Sequence, residues 1–389
     1  MHSREPISFL MPLWRTPQLL PRILRAVVTK HVRAPRELRR GDGQSRLPIQ
    51  LIGMKITNAC NLRCKTCAQW GETGYNFNRT GSELRTVVPV EKYTEMSDQL
   101  AKSRPFYYIW GGEPFLYPDI LELTGKIKEN RSPLAVVTNA TFLKENARAV
   151  VDQGWDALMF SVDGPEHLHD EIRGRKGTFQ KMAAGVRAVK NYRRMTGRSL
   201  PWLMPLITVS TWNAGKLDEI LEVASELGTD CAVVYYSWFT NEAIGKAHTK
   251  IFEKKLGVTP TAWRGYLFNH DVDTDALQGS LSRIRARRYP FPILYIPDLR
   301  YDQLRRYYRK PGDFLGYGPC ISPWTTVEIM PNGDVAPCRD YPDFVTGNIL
   351  DTPLQDIWNG ERYAMFRKAL TGNGGTFPIC ARCCGLMGW

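Results

Sequence analysis

The 389-residue sequence lacks any long hydrophobic run, and no stretch approaches the roughly 20 apolar residues that cross a bilayer. Its N-terminus, where Arg4 and Glu5 precede broken apolar stretches, lacks the continuous apolar segment of a signal peptide. It also lacks low-complexity tracts and any repeat beyond alternating strand and helix patterns. These absences predict a folded cytoplasmic protein, and the length suits one large α/β domain with a smaller second one.

Disulfides are not expected either. The chain has nine cysteines, an odd number, and no predicted secretion signal. In a long chain of this kind, cysteines more often serve metals in a reducing compartment than form a disulfide framework. Their spacing must therefore indicate which metal they serve.

The net charge of +13 is unevenly distributed. Residues 1–50 carry ten Arg or Lys against three acids, and residues 281–310 carry nine against two. Each segment is thus net +7, and the remainder of the chain is close to neutral. The positive charge belongs to two segments rather than to the body that we expect to be catalytic.

Residues 51–240 alternate short β-rich runs with longer helical ones, which is typical of βα units in a parallel sheet. Six such units predict a partial (β/α)6 barrel, with ligands gathering where the strands end. The predicted strands cover 51–57, 106–110, 134–139, 157–163, 203–210 and 231–236. The predicted helices cover 91–103, 119–130, 144–153, 179–194 and 216–227.

Three further segments flank this barrel. Residues 241–318, in which Pro and Gly are scattered among basic and aromatic residues, predict a connection or lid. Residues 319–389 predict a small unit with a β-hairpin that turns at Asn332-Gly333, followed by a helix over 353–370. Residues 1–50 form a basic N-terminal extension.

The extension contains an amphipathic helical pattern. Pro21 suits a first helical turn, and one face carries apolar residues while the other carries arginines. The apolar residues are Leu20, Ile23, Leu24 and Val27, and the arginines are Arg22, Arg25 and Arg33. This pattern fits a helix on an anionic membrane surface, and it fits equally a helix that packs its apolar face on the barrel.

The first cysteine group is a C-x3-C-x2-C loop, formed by Cys60, Cys64 and Cys67, directly after the first predicted strand. A closed zinc or iron–sulfur site needs four protein ligands, and this loop supplies three. One iron of a cluster would stay open to bind a cofactor. The alternatives are a zinc loop that borrows a distant cysteine, and buried thiols without a metal.

This loop resembles the defining motif of the radical S-adenosylmethionine (SAM) superfamily. The resemblance implies a [4Fe–4S] cluster whose open iron chelates the amino and carboxylate groups of SAM. The run Gly111, Gly112, Glu113 and Pro114, at the end of the second strand, resembles the turn of that family that binds the SAM amino group.

Other strand ends extend the resemblance. Thr138 and Asn139 are similar to the family's polar strand end near the SAM ribose and methionine. Ser161 and Arg173 resemble the pair that contacts the SAM carboxylate, for which a guanidinium fork is suited. The chain departs from the pattern at Thr66, in the loop position near adenine that is usually aromatic, and at Trp110, where a polar residue is common.

The second cysteine group consists of Cys320, Cys338, Cys380 and Cys383. Four thiolates suit an auxiliary [4Fe–4S] cluster or zinc. The sequence between them resembles the SPASM/twitch domain appended to many radical SAM enzymes, in its one-cluster form, which implies the auxiliary cluster. Cys384 is an alternative to Cys383 as fourth ligand, and Cys231 is expected in the core.

The resemblance implies an enzyme that cleaves SAM reductively to a 5′-deoxyadenosyl radical and abstracts hydrogen from its substrate. We expect a small metabolite, phosphorylated or lipid-linked, that is oxidised or rearranged, with the auxiliary cluster as electron acceptor or structural element. A reductase such as flavodoxin or ferredoxin would supply electrons. No catalytic acid or base can be chosen, and His167 and His169 stay unassigned.

Two alternatives remain open at the level of sequence. One is a maturase that modifies a peptide or protein, and the other is a non-catalytic iron–sulfur or zinc-binding protein. The aromatic and basic segment 281–310 could bind a phosphorylated substrate, an anionic membrane or nucleic acid, or it could simply be a solvated face. Nucleic acid ranks last, because no recognised binding module accompanies the charge.

Overall fold

The computed structural model describes residues 20–236, 238–268 and 271–387, and their backbone is built around one ten-stranded sheet. The strand order is β10-β9-β8-β1-β2-β3-β4-β5-β6-β7, and all neighbours from β8 to β7 run parallel. The strands are β1 (Leu51–Lys55), β2 (Phe106–Trp110), β3 (Leu134–Thr138), β4 (Ala157–Ser161), β5 (Trp202–Thr208), β6 (Ala232–Tyr235), β7 (Ile293–Ile296), β8 (Thr326–Ile329), β9 (Asp334–Ala336) and β10 (Gly347–Asn348).

The helices lie between these strands in the order that βα units require. The α-helices are α1 (Leu20–Val28), α2 (Ala34–Arg40), α3 (Gly81–Arg85), α4 (Val90–Gln99), α5 (Ile120–Glu129), α6 (Leu143–Asp152), α7 (Glu166–Arg173), α8 (Thr178–Met195), α9 (Leu217–Leu227), α10 (Glu242–Leu256), α11 (Thr274–Arg285), α12 (Tyr301–Arg309), α13 (Leu354–Trp358), α14 (Glu361–Thr371) and α15 (Cys384–Met387). A single π-helical turn, Thr29–Arg33, joins α1 to α2. Short 3-10 turns are Pro114–Leu116, Ala214–Lys216, Ala262–Tyr266, Ser322–Trp324 and Pro378–Arg382.

All six predicted strands of the partial barrel are present and parallel, and the sheet is open rather than closed. A seventh parallel strand, β7, was not predicted. It lies within residues 241–318 and pairs with β6 from Ile293 to Ile296. Its apolar residues are flanked by prolines and arginines, which hid the strand pattern in the sequence. Part of the segment expected to be a connection thus extends the sheet.

The C-terminal residues join the same sheet at its other end. β8 and β9 form the predicted antiparallel hairpin, and Gly333 takes the left-handed conformation (φ 86°) that its turn requires. β8 pairs in parallel with β1, so the hairpin continues the barrel sheet directly. The helix predicted over 353–370 is divided into α13 and α14, because Asn359-Gly360 interrupts it and Gly360 has an extended backbone.

The sheet buries both of its faces. On β1, Ile52 and Met54 point into the main core between the strands and the helices, whereas Gly53 and Lys55 alternate onto the inner face. The inner face also carries a smaller apolar cluster. Its buried members are Tyr108, Ala135, Met159, Leu206, Val233 and Ile296. The candidate site lies above this cluster, where the strands end.

The basic segment 281–310 is mostly committed to the chain's own groups. Several of its arginines form ion pairs with acids, among them Arg283 with Asp218 and Arg287 with Glu222. Its aromatic residues Tyr307 and Tyr308 are buried in the main core. The structure therefore gives most of this segment a packing role, although its Tyr301 is exposed.

The described part of the apolar face of helix α1, from Leu24 onward, does not pack on the barrel. Leu24, Val27 and Val28 are among the most exposed large apolar side chains of the described residues, whereas Thr29, which follows them, is buried. The side chains of Leu20, Arg22 and Ile23 lie outside the described part. Among the described residues, no helix combines the length and hydrophobicity needed to cross a bilayer.

Candidate active site

The first cysteine loop borders a cavity of about 320 Å³ at the ends of the parallel strands. All three of its thiols contribute to the lining, as do ten of the twelve residues that the sequence predicted for the first cluster and SAM. These ten are Cys60, Cys64, Thr66, Cys67, Gly111, Gly112, Thr138, Asn139, Ser161 and Arg173. The remaining two, Glu113 and Pro114, are buried behind the cavity wall.

Gly111 and Gly112, in the turn after β2, let the chain pass close to the cysteine loop. The Gly112 N–H donates to the Thr57 carbonyl at 2.8 Å, and the Glu113 N–H donates to the Ala59 carbonyl at 2.8 Å. A Cβ on Gly112 would lie 2.0 Å from the Ala59 oxygen, a distance that no side chain tolerates. The glycines therefore hold the residues before Cys60 against the end of β2.

The carboxylate of Glu113 bonds to neighbouring protein groups and does not line the cavity. It accepts hydrogen bonds from the Thr138 hydroxyl (2.7 Å), the Asn139 N–H (2.8 Å) and the Phe115 N–H (3.2 Å). Burial raises its pKa to about 7, and these three donors oppose that rise. The carboxylate thus ties the end of β2 to the end of β3.

Arg173 connects helix α7 to the cysteine loop. Its Nε lies 2.5 Å from an Asp163 carboxylate oxygen, and its Nη1 lies 3.6 Å from the Cys64 Sγ. The Asp163 backbone N–H donates to Nδ1 of His169, whose imidazole is buried. His169 thus supports Asp163, which in turn orients the guanidinium, whereas His167 is exposed on the same helix.

The chemistry of this pocket fits an anionic metal cluster. Burial raises the pKa of Cys60 to about 12 and that of Cys64 to about 11, so a metal must displace their protons. Lys55 is buried, with its Nζ 4.7 Å from the centre of the Tyr75 ring. Burial lowers the pKa of Lys55 to about 7, and the Cys67 thiol opposes that shift. A cluster held by these cysteines would supply the counter-charge that the ammonium needs.

A second cavity, of about 110 Å³, is lined by all four predicted auxiliary cysteines, Cys320, Cys338, Cys380 and Cys383. Burial raises the pKa of each of the first three thiols, as at the first site. The side chain of Cys384 lies outside the described part of the chain. Its role as an alternative fourth ligand therefore stays a prediction. Cys231 is buried on the sheet and lines neither cavity.

The donor type of each set suits a metal cluster. Thiolates are the ligands of iron–sulfur clusters, and each set of cysteines lines a cavity of its own.

The two cavities share a wall. Tyr108, Trp238, Arg339 and Asp340 line both of them. The Arg339 guanidinium lies 4.6 Å from the centre of the Tyr108 ring, and its Nε lies 3.3 Å from a carboxylate oxygen of Glu328. Whatever occupies the first cavity therefore lies one layer of side chains from the second.

This wall was missed by sequence reasoning. Arg339 and Asp340 directly follow Cys338, and that proximity was an available signal. Gln69 could have been found in the same way, since it follows the first cysteine loop by two residues, and its amide donates to the Gly111 carbonyl at 2.7 Å. Trp238, Tyr266 and Phe268 carry no comparable signal, because only the fold brings them to the cavity.

Comparison with known proteins agrees with this geometry. A family model described as the Radical SAM superfamily matches residues 54–213, which contain the first cysteine loop. A second, SPASM, described as an iron-sulfur cluster-binding domain, matches residues 320–384, which contain the second set. The chain belongs to the radical SAM superfamily. It carries a C-terminal SPASM domain and is an enzyme.

Relatives of this radical SAM protein have diverse names. It is 24% identical over 362 residues to a tungsten-containing aldehyde ferredoxin oxidoreductase cofactor-modifying protein of Pyrococcus furiosus, covering 86% of this chain and 87% of that protein. It is 28% identical over 342 residues to an AdoMet-dependent heme synthase of Methanosarcina barkeri, covering 82% and 84%. It is 24% identical over 336 residues to a PqqA peptide cyclase of Gluconobacter oxydans, covering 82% and 79%.

Solved structures show the same fold. A crystal structure of Streptococcus suis SuiB bound to S-adenosylmethionine superimposes with a TM-score of 0.57 and 16% identity, covering 92% of this chain and 79% of SuiB. Native anSMEcpe with bound AdoMet gives a TM-score of 0.53 and 17% identity, covering 81% and 82%. Membership of the superfamily brings SAM and a [4Fe–4S] cluster as cofactors, and the SPASM domain brings an auxiliary iron–sulfur cluster.

Proposed function

We propose that this radical SAM enzyme removes hydrogen from a small organic substrate held between its two metal sites, in a net two-electron oxidation. Cys60, Cys64 and Cys67 hold the SAM-binding [4Fe–4S] cluster, and Cys320, Cys338, Cys380 and Cys383 hold the auxiliary one. When bound, SAM and the first cluster supply a 5′-deoxyadenosyl radical, and the auxiliary cluster supplies a one-electron acceptor. The substrate loses a hydrogen atom and then one electron and one proton.

The shared wall carries this proposal. Tyr108, Trp238, Arg339 and Asp340 border both cavities, so a substrate that rests on them is close to both cysteine sets. An acceptor one side-chain layer away suits an oxidation, since an isomerisation needs no net electron acceptor. Its two aromatic residues, Tyr108 and Trp238, help to keep water from the reacting carbon.

The residues of the first cavity position SAM in this proposal. Arg173 and Ser161 bind its carboxylate, Gly111 and Gly112 present backbone to its amino group, and Thr138 and Asn139 approach its ribose and methionine. Thr66 borders the adenine. Glu113 and Pro114 act indirectly, because the Glu113 carboxylate is occupied by donors from β3 and the turn.

The size and polarity of the cavity favour a small substrate. About 320 Å³ is near the lower end for ligand pockets, and SAM must share it. Arg339 offers a guanidinium at the substrate end, which suits a carboxylate or phosphate group. The basic segment 281–310 is not assigned to this recognition, because none of its described residues lines the cavity.

A peptide substrate is the second candidate, because two relatives are named for peptide chemistry. Besides the PqqA peptide cyclase, the chain is 22% identical over 333 residues to the antilisterial bacteriocin subtilosin biosynthesis protein AlbA of Bacillus subtilis. A cavity of this size could receive one side chain of a peptide. The peptide itself would then have to lie outside the cavity.

Deuterium transfer separates these candidates. The anaerobically reconstituted enzyme is given SAM, dithionite and one deuterated candidate substrate, either a small anionic metabolite or a short peptide. The functions of the neighbouring genes guide the choice of each candidate. We expect deuterium from the small molecule in 5′-deoxyadenosine, and a product lighter by two hydrogens. Deuterium from the peptide alone would favour the maturase, and a product of unchanged mass would contradict the oxidation.

A further inference from the structure

His248 is a buried imidazole whose ring nitrogens have no protein partner. It lies on α10, is 1% exposed, and neither its Nδ1 nor its Nε2 has a hydrogen-bond partner in the described part of the chain. A buried polar atom without a partner is destabilising, so such an atom needs an explanation. The explanation must lie in what the ring faces.

The ring faces the auxiliary cavity. His248 lines the cavity of about 110 Å³ together with all four cysteines of the second set. Its other neighbours are aromatic, with ring centres at 4.9 Å for Phe252, 5.8 Å for Phe377 and 5.9 Å for Tyr341. The Tyr341 hydroxyl donates to the Ile379 carbonyl. These aromatic rings fix the plane of the imidazole and give its nitrogens few polar neighbours.

Trp238 repeats the same arrangement. Its indole Nε1 is buried without a partner among the described residues, and its side chain lines the same cavity on the wall shared with the first site. An indole has one donor and no acceptor. Two side chains with N–H donors, from different segments, thus line the cysteine cavity without a hydrogen-bond partner among the described residues.

His248 can act as a donor in either protonation state. A neutral imidazole carries one N–H and an imidazolium carries two, so the ring can donate a hydrogen bond to a sulfur atom in both forms. Burial lowers the pKa of His248 to about 4 and so favours the neutral form.

We propose that His248 and Trp238 donate N–H···S hydrogen bonds to the auxiliary [4Fe–4S] cluster and raise its reduction potential. The inference rests on the proposed assignment of that cluster to the second cysteine set. Hydrogen bonds to cluster or cysteine sulfur stabilise the reduced, more electron-rich state. The two residues thereby make the cluster a better acceptor for the electron that the substrate loses.

The potential of the auxiliary cluster tests this proposal without turnover. The variant in which Cys60, Cys64 and Cys67 are all replaced by Ala isolates the auxiliary cluster, and its midpoint potential is measured by redox titration followed by electron paramagnetic resonance. We expect His248→Phe and Trp238→Phe to lower the potential. His248→Gln, which keeps an N–H near the Nε2 position, restores part of it.

Trp324→Phe is the matched control. Trp324 is also a buried indole with an unpartnered Nε1 among the described residues, but it does not line the auxiliary cavity. Its replacement should leave the potential unchanged. Unchanged potentials in both His248→Phe and Trp238→Phe, with full iron content, would overturn the proposal.

Labelling keeps the test valid if a variant fails to fold. Protein carrying ¹⁵N-histidine and a reduced auxiliary cluster should show a weak nitrogen coupling in pulsed resonance, as expected across a hydrogen bond. No coupling would overturn the donor role, and a strong coupling would make His248 a ligand instead. If the second cysteine set held no cluster at all, the iron content of the triple variant would reveal that separately.

A second inference rests on helix α1. Leu24, Val27 and Val28 follow the spacing i, i+3 and i+4 of one helical face, and the exposed Val32 follows in the π-helical turn; each is at least 40% exposed. Exposed cations adjoin this stripe, namely Arg25, Arg33 and Arg36. An exposed apolar stripe between cations complements the acyl chains and headgroups of an anionic bilayer.

We infer that this stripe binds the enzyme to an anionic lipid surface. Flotation with vesicles of phosphatidylcholine alone and of phosphatidylcholine with phosphatidylserine tests it on the full chain. We expect binding to the anionic vesicles only. The double variant Leu24→Ser with Val28→Ser should abolish it, whereas Met195→Ser, at another exposed apolar residue, should not.

Three results would overturn this second inference. The first is the absence of flotation with anionic vesicles, and the second is flotation that the double variant does not reduce. The third is self-association of the wild type, seen by light scattering and lost in the double variant, without lipid binding. That result would show that the stripe binds a second copy of the chain instead of lipid.

Discussion

The Nη1 of Arg173 lies 3.6 Å from the Sγ of Cys64, so one side chain links helix α7 to the first cysteine loop. The same guanidinium contacts the buried carboxylate of Asp163. This carboxylate fixes the arginine at the edge of the cavity. In our account, that position places its fork where the SAM carboxylate binds.

Replacement of Arg173 by Gln should weaken SAM binding roughly tenfold to a hundredfold, because a charged hydrogen bond is worth about 1.5–3 kcal/mol. Iron content should stay near that of the wild type, since Arg173 is not a ligand. Isothermal titration of the reconstituted enzyme with SAM measures the effect. Arg175→Gln, at an exposed residue just after helix α7, is the control, and equal affinities in both variants would refute the role.

Replacement of Gly112 by Ala should disrupt the first cluster. Its Cβ would lie 2.0 Å from the Ala59 carbonyl oxygen and push the turn away from the cysteine loop. About four irons should then be lost from an expected total of about eight. Gly215→Ala, where the nearest atom to the new Cβ is 3.4 Å away, should keep all of the iron. Full iron in Gly112→Ala would show that the loop does not depend on this contact.

Replacement of Arg339 by Gln should raise the KM for an anionic substrate roughly tenfold or more, since a charge-assisted contact is lost. The affinity for SAM should change little, because Arg173 lies elsewhere on the cavity. Steady-state kinetics and SAM titration together separate the two effects. A loss of SAM affinity with an unchanged substrate KM would place Arg339 at the wrong end of the cavity.

The pair Asp218–Arg283 should give a pH-dependent contribution to stability. Arg283 donates hydrogen bonds of 2.8 and 2.9 Å to the Asp218 carboxylate and holds its pKa below the ordinary value. Because the folded-state pKa is the lower one, the contribution is complete above the unfolded pKa of about 3.9. It is lost as the pH falls through the folded pKa.

Asp218→Asn should therefore lower the free energy of unfolding by about 0.5–1 kcal/mol at pH 7, discounted for solvent screening. The difference should stay constant down to about pH 5 and shrink below about pH 4. Urea unfolding across this range measures it. Asp302→Asn, in the exposed pair with Arg300, should have almost no effect. A difference that grows towards acid would reverse the assigned sign.

Much of the fold could be predicted because each barrel strand is a short apolar run between turn residues. That signal failed for β7, where Ile293–Ile296 stands among prolines and arginines, and only pairing with β6 makes it a strand. It also failed at Asn359-Gly360, where helical periodicity continued across a break. The periodicity of apolar residues does not reveal a break in the backbone that tertiary contacts stabilise.

The candidate site was predictable where ligands are close in sequence. Cys60, Cys64 and Cys67 are one loop, and their spacing, together with the resemblance of residues 111–114 to the SAM-binding turn, indicated an open site. His248 and Trp238 could not be predicted as a pair, because α10 and the segment after β6 bring them to the second cysteines only in the folded chain. Glu113 was predicted as a partner for the SAM amino group, and its occupied carboxylate favours a framework role.

Formation of 5′-deoxyadenosine is the measurement that tests the central claim most directly. The anaerobically reconstituted enzyme is incubated with dithionite and SAM, and the product is quantified by mass spectrometry. We predict 5′-deoxyadenosine from the wild type and from the control Cys231→Ala, and none from the variant with Cys60, Cys64 and Cys67 replaced by Ala. No product from the iron-replete wild type, or undiminished product from the triple variant, would contradict the account.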